Sequence, residues 1–528
     1  MSQPGYDAIV IGAGANGLVA AARLGLAGRR VLLLERTDSA GGQGAVTEFA
    51  PGFHAAPLGL DAGWLPPSIA LSLNLDGLEP ATGDAPLSVA IAPGAFLTLA
   101  SDVRTAADAI RVHSIADAAK WPAFAARLRS LTEFLEALYV MDAPDVDARS
   151  LGELLPLLGL GQKFRALGKT DMIELLRTLP MSVWELLDDW FETTALKAAV
   201  ATGGIQDYQQ GPRSGGTGFV LLHHLVGASA GTMRGRPAWR GGPGAFTDAA
   251  ERAARRAGVT IRTAAEVARI QVRDDAVVGV VLASGEEIAA RAVLSTAEAR
   301  RTMLDWVDPV WLDPEFMRDV QNIRFRGCTA IVLYALDALP AFKGLGAEAS
   351  LGGMVSLTTS LVALEKAADA AKYGEVSERP HVEFSVPSVR WPNLAPGGKH
   401  VLVARVQYAP YRLKGGAKWD AARLDALANT TTAAIEAIAP GFGSRIVSRV
   451  AWSPADLEQR FGLTEGAPHQ GELGLDQILF MRPVAGWGRH ATPIAGLTLG
   501  GCGSHPGPGV LGGAGWLAAG RVLKAGRR

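Results

Sequence analysis

Residues 9–35 read IVIGAGANGLVAAARLGLAGRRVLLLE and constrain the fold more than any other part of the chain. An apolar run leads into a glycine-rich turn, an Ala- and Leu-rich run, and a second apolar run that ends in an acid. This order predicts strand, turn, helix and strand, which is the beginning of a dinucleotide-binding βαβ unit. An ordinary βαβ unit whose glycines serve only packing is disfavoured, because the spacing, the helix and the acid all agree.

The glycines and the acid have separate physical roles in such a unit. Gly12 permits the tight turn, Gly14 lets the backbone approach a pyrophosphate, and Gly17 allows the helix to pack closely. The diphosphate then lies at a helix N-terminus, where N–H groups favour an anion. Glu35 has the spacing of a residue that accepts hydrogen bonds from an adenosine ribose. Arg36 follows it and keeps a 2′-phosphate on that ribose open as an alternative.

Composition narrows the class of protein further. The chain has 528 residues, enough for two or more domains or one interleaved pair. Lys plus Arg total 51 and Asp plus Glu total 52, so the net charge of −1 gives no electrostatic case for nucleic-acid binding. Cys328 and Cys502 are the only cysteines and lie far apart. This excludes a disulfide framework and the dithiol centre of the flavin disulfide reductases.

Hydropathy gives an expectation about location. No uninterrupted apolar run reaches the ~18 residues that a membrane-spanning helix needs. The N-terminal MSQPGYDAIV enters the first predicted strand without a signal or transit segment. We therefore expect a cytoplasmic location, and peripheral contact with a membrane surface is left open.

The predicted fold class is α/β, with a discontinuous Rossmann-type dinucleotide-binding domain interleaved with an α+β substrate domain. Patterning between residues 105 and 200 predicts a helical insert. The alternating runs RGCTAIVLYAL, PHVEFSVPSV and KHVLVARVQYAP predict an antiparallel sheet, which an Ala-rich helix within residues 419–439 would cover. The predicted dinucleotide-binding domain comprises residues 1–75, 236–305 and 470–528, and the predicted substrate domain comprises residues 76–235 and 306–469.

Two later segments return the chain to the dinucleotide-binding domain. VTIRTAAEVARIQV is predicted as one strand, followed by a hairpin through Asp274 and Asp275 and a final strand near AVLST. The C-terminal segment predicts a strand, a Gly/Pro-rich turn and a helix from about Gly512, whose N-terminus would stabilise negative charge. Gly41 and Gly42 indicate a second close approach of the backbone to a cofactor.

With these blocks in view, the chain resembles the flavin-dependent phytoene desaturase-like family, within the amine oxidase-like flavoprotein superfamily. The likeness runs nearly end to end, through the opening glycine motif, the block from GGPGAF to AVLST, and the closing GLTLGGCGSHPGPGVLGGAGWLAAGRVL. The motifs NGLVAAARL, AVTEFAPGF, LDQILFMRP and GSHPGPGV indicate one branch of it. The resemblance implies FAD as the cofactor.

The resemblance also implies a role for each motif position. The opening turn would hold the FAD diphosphate, the acid would bind the ribose, and the second glycine pair would line the ribityl chain. One residue in AEVARI would meet the adenine through its backbone, and the segment before the last helix would bring N–H groups to the pyrimidine edge of the flavin. The implied cofactor-binding residues are Gly12, Gly14, Asn16, Gly17, Glu35, Arg36, Gly41, Gly42, Val267, Gly501, Gly509, Val510 and Leu511.

The implied activity is that of an FAD-dependent oxidoreductase that removes hydride from a mostly apolar small molecule, as a desaturase or dehydrogenase does. GGPGAF does not follow a strand in a βαβ unit, so we expect no second nucleotide site, and electrons would pass to oxygen, a quinone or a partner protein. Ala56 occupies the place of an acid that the desaturases usually carry. This difference weakens the expectation that the substrate is a carotenoid. An amine or alcohol oxidase of the same superfamily and a flavin-stabilised interaction protein without turnover are the alternatives.

Six further residues are candidates for the reaction itself. The resemblance places His505 near the flavin, where it would act as a base or orient substrate; the alternative is a histidine that satisfies turn backbone groups. His54 and Trp184 are candidate substrate residues, with a surface position and core packing as their respective alternatives. Gln477 and Arg482, together with Asp476, would also meet substrate, or would contribute to an ion pair that fixes the two domains.

Metal and thiol chemistry is not expected. His223 and His224 have no carboxylate or Cys at metal-ligand spacing, so no metal site is predicted. Cys502 has no activating neighbour in the sequence and is expected to be a small packed residue. The oligomeric state is left open.

Overall fold

The computed structural model describes residues 5–59, 63–81, 83, 85–144, 151–228, 238–346 and 348–526. Residues 1–4, 60–62, 236–237 and 527–528 of the predicted dinucleotide-binding domain lie outside these ranges. Two large sheets and a block of helices organise the described chain, as the α/β prediction required.

The first sheet is parallel and has the order β17-β11-β1-β2-β7. Its strands are short and almost fully apolar, which is typical of parallel strands covered on both faces. In register, Ile9 lies between Leu32 and Val293. The strands are β1 (Ala8–Ile11), β2 (Val31–Leu34), β7 (Thr260–Arg262), β11 (Val293–Ser295) and β17 (Leu497–Leu499).

Three helices cover one face of this sheet. Val10 and Leu33 pack in one buried cluster with helices α1 (Ala15–Leu26), α10 (Ala245–Arg256) and α15 (Gly513–Ala525). Ile9 and Leu32 point to the other face, where they pack with a three-stranded sheet of β8 (Val267–Arg273), β9 (Ala276–Leu282) and β10 (Glu287–Ala289). The Rossmann-type unit predicted from the opening motif is therefore confirmed.

One predicted strand was wrong. VTIRTAAEVARIQV forms two strands, β7 and β8, which belong to different sheets. The chain turns between them at Ala264, whose φ of 49° no extended strand adopts. The hairpin through Asp274 and Asp275 is present, with φ values of 51° and 58° at the two positions.

The second large sheet has the order β16-β12-β15-β14-β13-β5-β6. It contains the three predicted strands and is antiparallel except where β13 pairs with β5. The hairpin of β5 and β6 was not predicted, although a Pro93-Gly94 turn separates its two apolar runs. The strands are β5 (Leu87–Ala92), β6 (Ala95–Leu99), β12 (Thr329–Leu336), β13 (Met354–Ser356), β14 (His381–Ser385), β15 (His400–Gln407) and β16 (Ile446–Trp452); a separate hairpin contains β3 (Thr47–Ala50) and β4 (Phe53–Ala55).

The helical insert is present as predicted and shares a core with β5 and β6. Helix α13 covers the second sheet through Leu427 and Ile435. In the described residues, no helix combines the length and apolar character that crossing a bilayer demands. The remaining helices are α2 (Pro67–Leu73), α3 (Val103–Arg111), α4 (Ile115–Tyr139), α5 (Leu151–Ala166), α6 (Gly168–Thr178), α7 (Val183–Trp190), α8 (Thr194–Ile205), α9 (Thr217–Leu225), α11 (Pro314–Gln321), α12 (Leu361–Lys372), α13 (Ala421–Glu436) and α14 (Pro454–Phe461).

Candidate functional site

A cavity of about 810 Å³ lies between the two large sheets. One part of its wall comes from the loops that follow β1, β2 and β11, and from the segment that precedes α15. The other part comes from the second sheet, from α9, and from the chain after α14. The volume is within the range of small-molecule and cofactor sites.

The glycine turn after β1 contributes Gly12 and Gly14 to this wall, and neither Gly12 nor Gly17 has room for a side chain. Gly12 has a φ of 94°, and a Cβ there would lie 2.5 Å from Thr296 Oγ1. A Cβ at Gly17 would lie 1.8 Å from the Gly12 carbonyl oxygen. Gly14 is the N-cap of α1, and no side chain caps that helix. The first N–H groups of α1 therefore remain for an anion at the cavity wall.

The second glycine pair packs directly against the first turn. The Gly41 N–H donates to the Ala13 carbonyl at 2.9 Å, and a Cβ at Gly42 would lie 2.9 Å from the Gly14 Cα. Both glycines have positive φ and line the cavity. The backbone thus approaches the same region of the cavity twice.

Glu35 is buried at the end of β2 and lines the cavity. One carboxylate oxygen accepts the Ala13 N–H at 2.8 Å, and the other accepts the Thr37 hydroxyl at 2.9 Å. Arg36 and Val267 line the same part of the wall. The Arg36 guanidinium donates to the Arg460 carbonyl at 2.7 Å, so α14 is held at this end of the cavity.

The C-terminal segment closes the opposite side. Gly509, Val510 and Leu511 all line the cavity. Trp64 bonds to this segment on both sides, because its N–H donates to the Gly509 carbonyl and its carbonyl accepts the Leu511 N–H, each at 2.7 Å. The Leu511 N–H is therefore bonded within the chain, and the contact of this residue with a flavin stays a prediction. The helix itself begins one residue after Gly512, which has a φ of 69°.

Sequence analysis missed a buried polar cluster in this wall. Asp207 and Arg405 form an ion pair with 2.5 Å between Oδ1 and Nη2, and the Thr329 hydroxyl donates to the same Oδ1 at 2.7 Å. His469 Nε2 lies 3.7 Å from Asp207 Oδ2, and its ring centroid lies 5.4 Å from that of His224. Asp207, Arg405, His469 and His224 all line the cavity.

Burial sets the charge states of this cluster. Burial lowers the pKa of His469 to about 4, against the opposing effect of Asp207, so the imidazole is neutral at pH 7. Burial also opposes ionisation of Asp207, but the nearby Arg405 guanidinium holds the pKa of that carboxyl well below its usual range. The wall therefore presents a compensated ion pair beside a neutral imidazole.

Comparison with known proteins agrees with this geometry. Residues 16–414 match the family model described as flavin containing amine oxidoreductase. The chain belongs to this family. It is 35% identical to rat pyridine nucleotide-disulfide oxidoreductase domain-containing protein 2 over 99% of this chain and 94% of the relative, which is the branch that the sequence motifs indicated.

Two further proteins are similar to this chain over nearly its whole length. A limonene dehydrogenase subunit of Castellaniella defragrans is 24% identical over 98% of this chain and 94% of its own length. The solved structure of cyclohexylamine oxidase from Brevibacterium oxydans has a TM-score of 0.57 at 16% identity, covering 99% of this chain and 100% of the other, and shows the shared fold.

FAD is the cofactor of this family, and the wall fits it. The uncapped start of α1 and the two glycine turns suit a diphosphate, and buried Glu35 suits the ribose. The Thr47 hydroxyl lines the cavity and has no hydrogen-bond partner among the described residues, so it can meet a cofactor or substrate. When bound, FAD would supply hydride acceptance, and the protein would supply position and electrostatics. The chain is an FAD-dependent oxidoreductase.

Gly17 and Gly501 are the two predicted cofactor residues that do not line the cavity. Gly501 packs behind the wall, where a Cβ would lie 2.2 Å from the Thr296 carbonyl oxygen; its neighbour Cys502 lines the cavity. Burial raises the pKa of the Cys502 thiol to about 11, in keeping with a packed residue. Asn16 lines the cavity, and its Oδ1 also accepts the Gly515 N–H at 3.1 Å, which links α1 to α15.

The catalytic prediction for His505 is not supported by its position. The side chain is fully buried outside the cavity wall, and its Nε2 bonds to the Met141 carbonyl at 3.1 Å. Burial lowers its pKa to about 4. It therefore matches the alternative of a histidine that satisfies backbone groups.

The predicted substrate residues also lie outside the wall. His54 lies on β4 opposite Glu48. Trp184 packs at the edge of the helical core with the Arg213 guanidinium 4.2 Å from its ring centroid. Each has a local partner instead of a place in the cavity.

Gln477 and Arg482 form hydrogen bonds with backbone groups and do not line the cavity. Gln477 Oε1 accepts the Arg324 N–H at 2.8 Å. Arg482 donates to the carbonyls of His469, Gly471, Glu472, Gln477 and Cys502, and burial lowers its pKa to about 10. Arg482 thus fixes the segment that carries His469, and the predicted ion pair in this region is made by the neighbouring Asp476 with Arg324 at 2.5 Å.

Proposed function

We propose that the protein removes a hydride from a carbon of a small molecule with a mostly apolar body and passes the electrons to oxygen, a quinone or a partner protein. The observation that carries this proposal is the composition of the wall beyond the glycine turns. Leu58, Trp239, Phe246, Trp452 and Phe461 line it with apolar surface. Such a wall would bury a hydrocarbon body, while the FAD would accept the hydride.

One relative also supports the removal of hydride from an apolar molecule. The limonene dehydrogenase subunit is named for an apolar substrate and for dehydrogenation. Its low identity to this chain leaves the individual substrate open, so the proposal names a chemical class only. The electron acceptor is likewise proposed as a class.

An amine or alcohol oxidase is the second candidate, and one observation favours it. The buried cluster of Asp207, Arg405 and His469 places polar groups in the same wall as the apolar residues named above. A pure hydrocarbon would offer no donor to His469 Nδ1, which has no hydrogen-bond partner among the described residues, and an unsatisfied buried acceptor costs binding free energy. The family description and cyclohexylamine oxidase support oxidation next to a heteroatom.

The test is anaerobic reduction of the FAD-loaded protein. Purified protein should bind FAD and lose its flavin absorption near about 450 nm when mixed with isoprenoids, alcohols or amines. Dithionite provides the control that the bound flavin is reducible. If dithionite reduces the flavin but no isoprenoid, alcohol or amine does, the proposal is contradicted and a non-catalytic flavoprotein is favoured. Release of hydrogen peroxide in air would identify oxygen as the acceptor.

A further inference from the structure

His469 is a titratable group of the wall whose hydrogen bonding is incomplete among the described residues. The residue is 6% exposed, and its Nδ1 has no hydrogen-bond partner among the described residues. Its Nε2 faces Asp207 Oδ2 at 3.7 Å. With the proton on Nε2, toward the carboxylate, Nδ1 carries a lone pair. A buried acceptor of this kind in a cavity wall needs a donor from the ligand.

The position of His469 places it beside both cofactor loops. Its neighbour Pro468 accepts the Gln43 side-chain N–H at 2.8 Å, and Gln43 belongs to the second glycine turn. The next residue, Gln470, accepts the Gly503 N–H at 3.1 Å, just after the C-terminal strand. The imidazole is therefore held between the two chain segments that converge on the dinucleotide.

The surrounding charges select among possible polar substrates. The Asp207 carboxylate is already paired with Arg405 and accepts the Thr329 hydroxyl. An ammonium group here would meet the buried Arg405 cation without a free carboxylate. A carboxylate would have to compete with Asp207 for Arg405. A neutral hydroxyl avoids both costs, because it needs only an acceptor for its proton.

We propose that the substrate bears a hydroxyl group on the carbon that loses hydride, and that His469 is the catalytic residue that accepts the hydroxyl proton at Nδ1. This inference rests on the proposed function. The carbinol C–H bond breaks and its hydride reduces FAD, while the O–H bond breaks and its proton passes to Nδ1. The C–O bond becomes a carbonyl, so the alcohol loses two electrons and two hydrogens. Asp207 stabilises the imidazolium that forms.

The first experiment compares three probes with one carbon skeleton on the FAD-loaded protein under anaerobic conditions. Geraniol should reduce the flavin faster than geranylamine and the hydrocarbon myrcene. Reduction by geranylamine or myrcene but not by geraniol would overturn this inference and leave the proposed function standing. Reduction by none of the three, with dithionite effective, would contradict both.

The second experiment uses His469→Gln, which keeps polarity but accepts no proton at neutral pH. We expect reduction by geraniol to slow by about a hundredfold or more. The wild-type rate should fall at acidic pH as the imidazole protonates, and this fall should be absent in the variant. His505→Gln is the matched control, because His505 is equally buried but outside the cavity wall.

Two measurements keep the inference testable if His469→Gln does not load FAD. In the first, Asp207→Asn should slow the reduction of the flavin by geraniol. In the second, a nitrogen NMR spectrum of the isotope-labelled wild type should show His469 Nδ1 without a proton. An Nδ1-protonated His469, or a pH profile that is unchanged in either cavity variant, would overturn the assignment.

Discussion

At the scale of single residues, the site combines positions that local sequence could identify with positions that it could not. Gly12 and Gly17 were predictable because a local motif specifies them: Gly12 has a positive φ in the turn, and Gly17 packs against the Gly12 carbonyl oxygen. His469 and Asp207 were not predictable, because the two residues are 262 positions apart in the sequence and their side chains meet only in the folded chain. The sequence contained one weak indication of Arg405, because a charged residue stands within an apolar run that was predicted as a strand.

Gly17→Ala tests the glycine turn. The added methyl would lie 1.8 Å from the Gly12 carbonyl oxygen, so the turn or α1 must move. We expect loss of bound FAD and a decrease of about 1–3 kcal/mol in the free energy of unfolding. Flavin content and urea denaturation measure both effects. Gly161→Ala in α5 is the matched control, because no atom lies within 4 Å of its added methyl. A fully FAD-loaded Gly17→Ala protein would contradict the packing argument.

Arg482→Met tests whether this arginine is structural. The change leaves several buried carbonyls without a donor, so we expect the free energy of unfolding to fall by about 3 kcal/mol or more. Arg318→Met removes an exposed arginine and should change it by less than about 0.5 kcal/mol. Equal stability of the two variants in chemical denaturation would show that the backbone contacts of Arg482 contribute little.

At the scale of elements, apolar periodicity identified the central strands and the helical insert. It failed where tertiary pairing decided the outcome. β7 and β8 read as one strand because both are extended, and only the turn at Ala264 separates them into two sheets. The β5–β6 hairpin joins the second sheet through a parallel pairing with β13, and no local pattern encodes a partner more than 250 positions away.

Ser453→Ala tests the coupling of α14 to the cavity. Ser453 forms a capping box with Asp456, and the end of this helix lines the cavity and accepts from Arg36. We expect a stability loss of about 1 kcal/mol and faster FAD dissociation. Ser360→Ala, which removes the N-cap of α12, should cost about the same stability without changing FAD dissociation. Identical FAD dissociation in the two variants would contradict the coupling.

At the scale of the whole molecule, the chain buries several histidines in the neutral state. Burial lowers the pKa of both His469 and His505 from 6.5 to about 4. The unfolded chain binds these protons at a higher pH than the folded one, so their contribution is present above about pH 6.5 and is lost as the pH falls towards 4.

We therefore expect the free energy of unfolding to decrease between pH 7 and about pH 4.5. The His505→Gln variant isolates one contribution, and its decrease over this range should be smaller than that of the wild type by about 1 kcal/mol or more. Urea denaturation at several pH values measures the difference. Parallel curves for the two proteins would show that His505 is not a source of the acid sensitivity.

The link between α1 and α15 has a consequence for biosynthesis. A Cβ at Gly515 would lie 1.9 Å from the Asn16 carbonyl oxygen, so the last helix rests on the first. The N-terminal unit therefore gains this helix and the edge strand β17 only after the chain has been synthesised through residue 525. We therefore expect flavin to bind stably only after this segment has been synthesised, because Gly509, Val510 and Leu511 line the cavity.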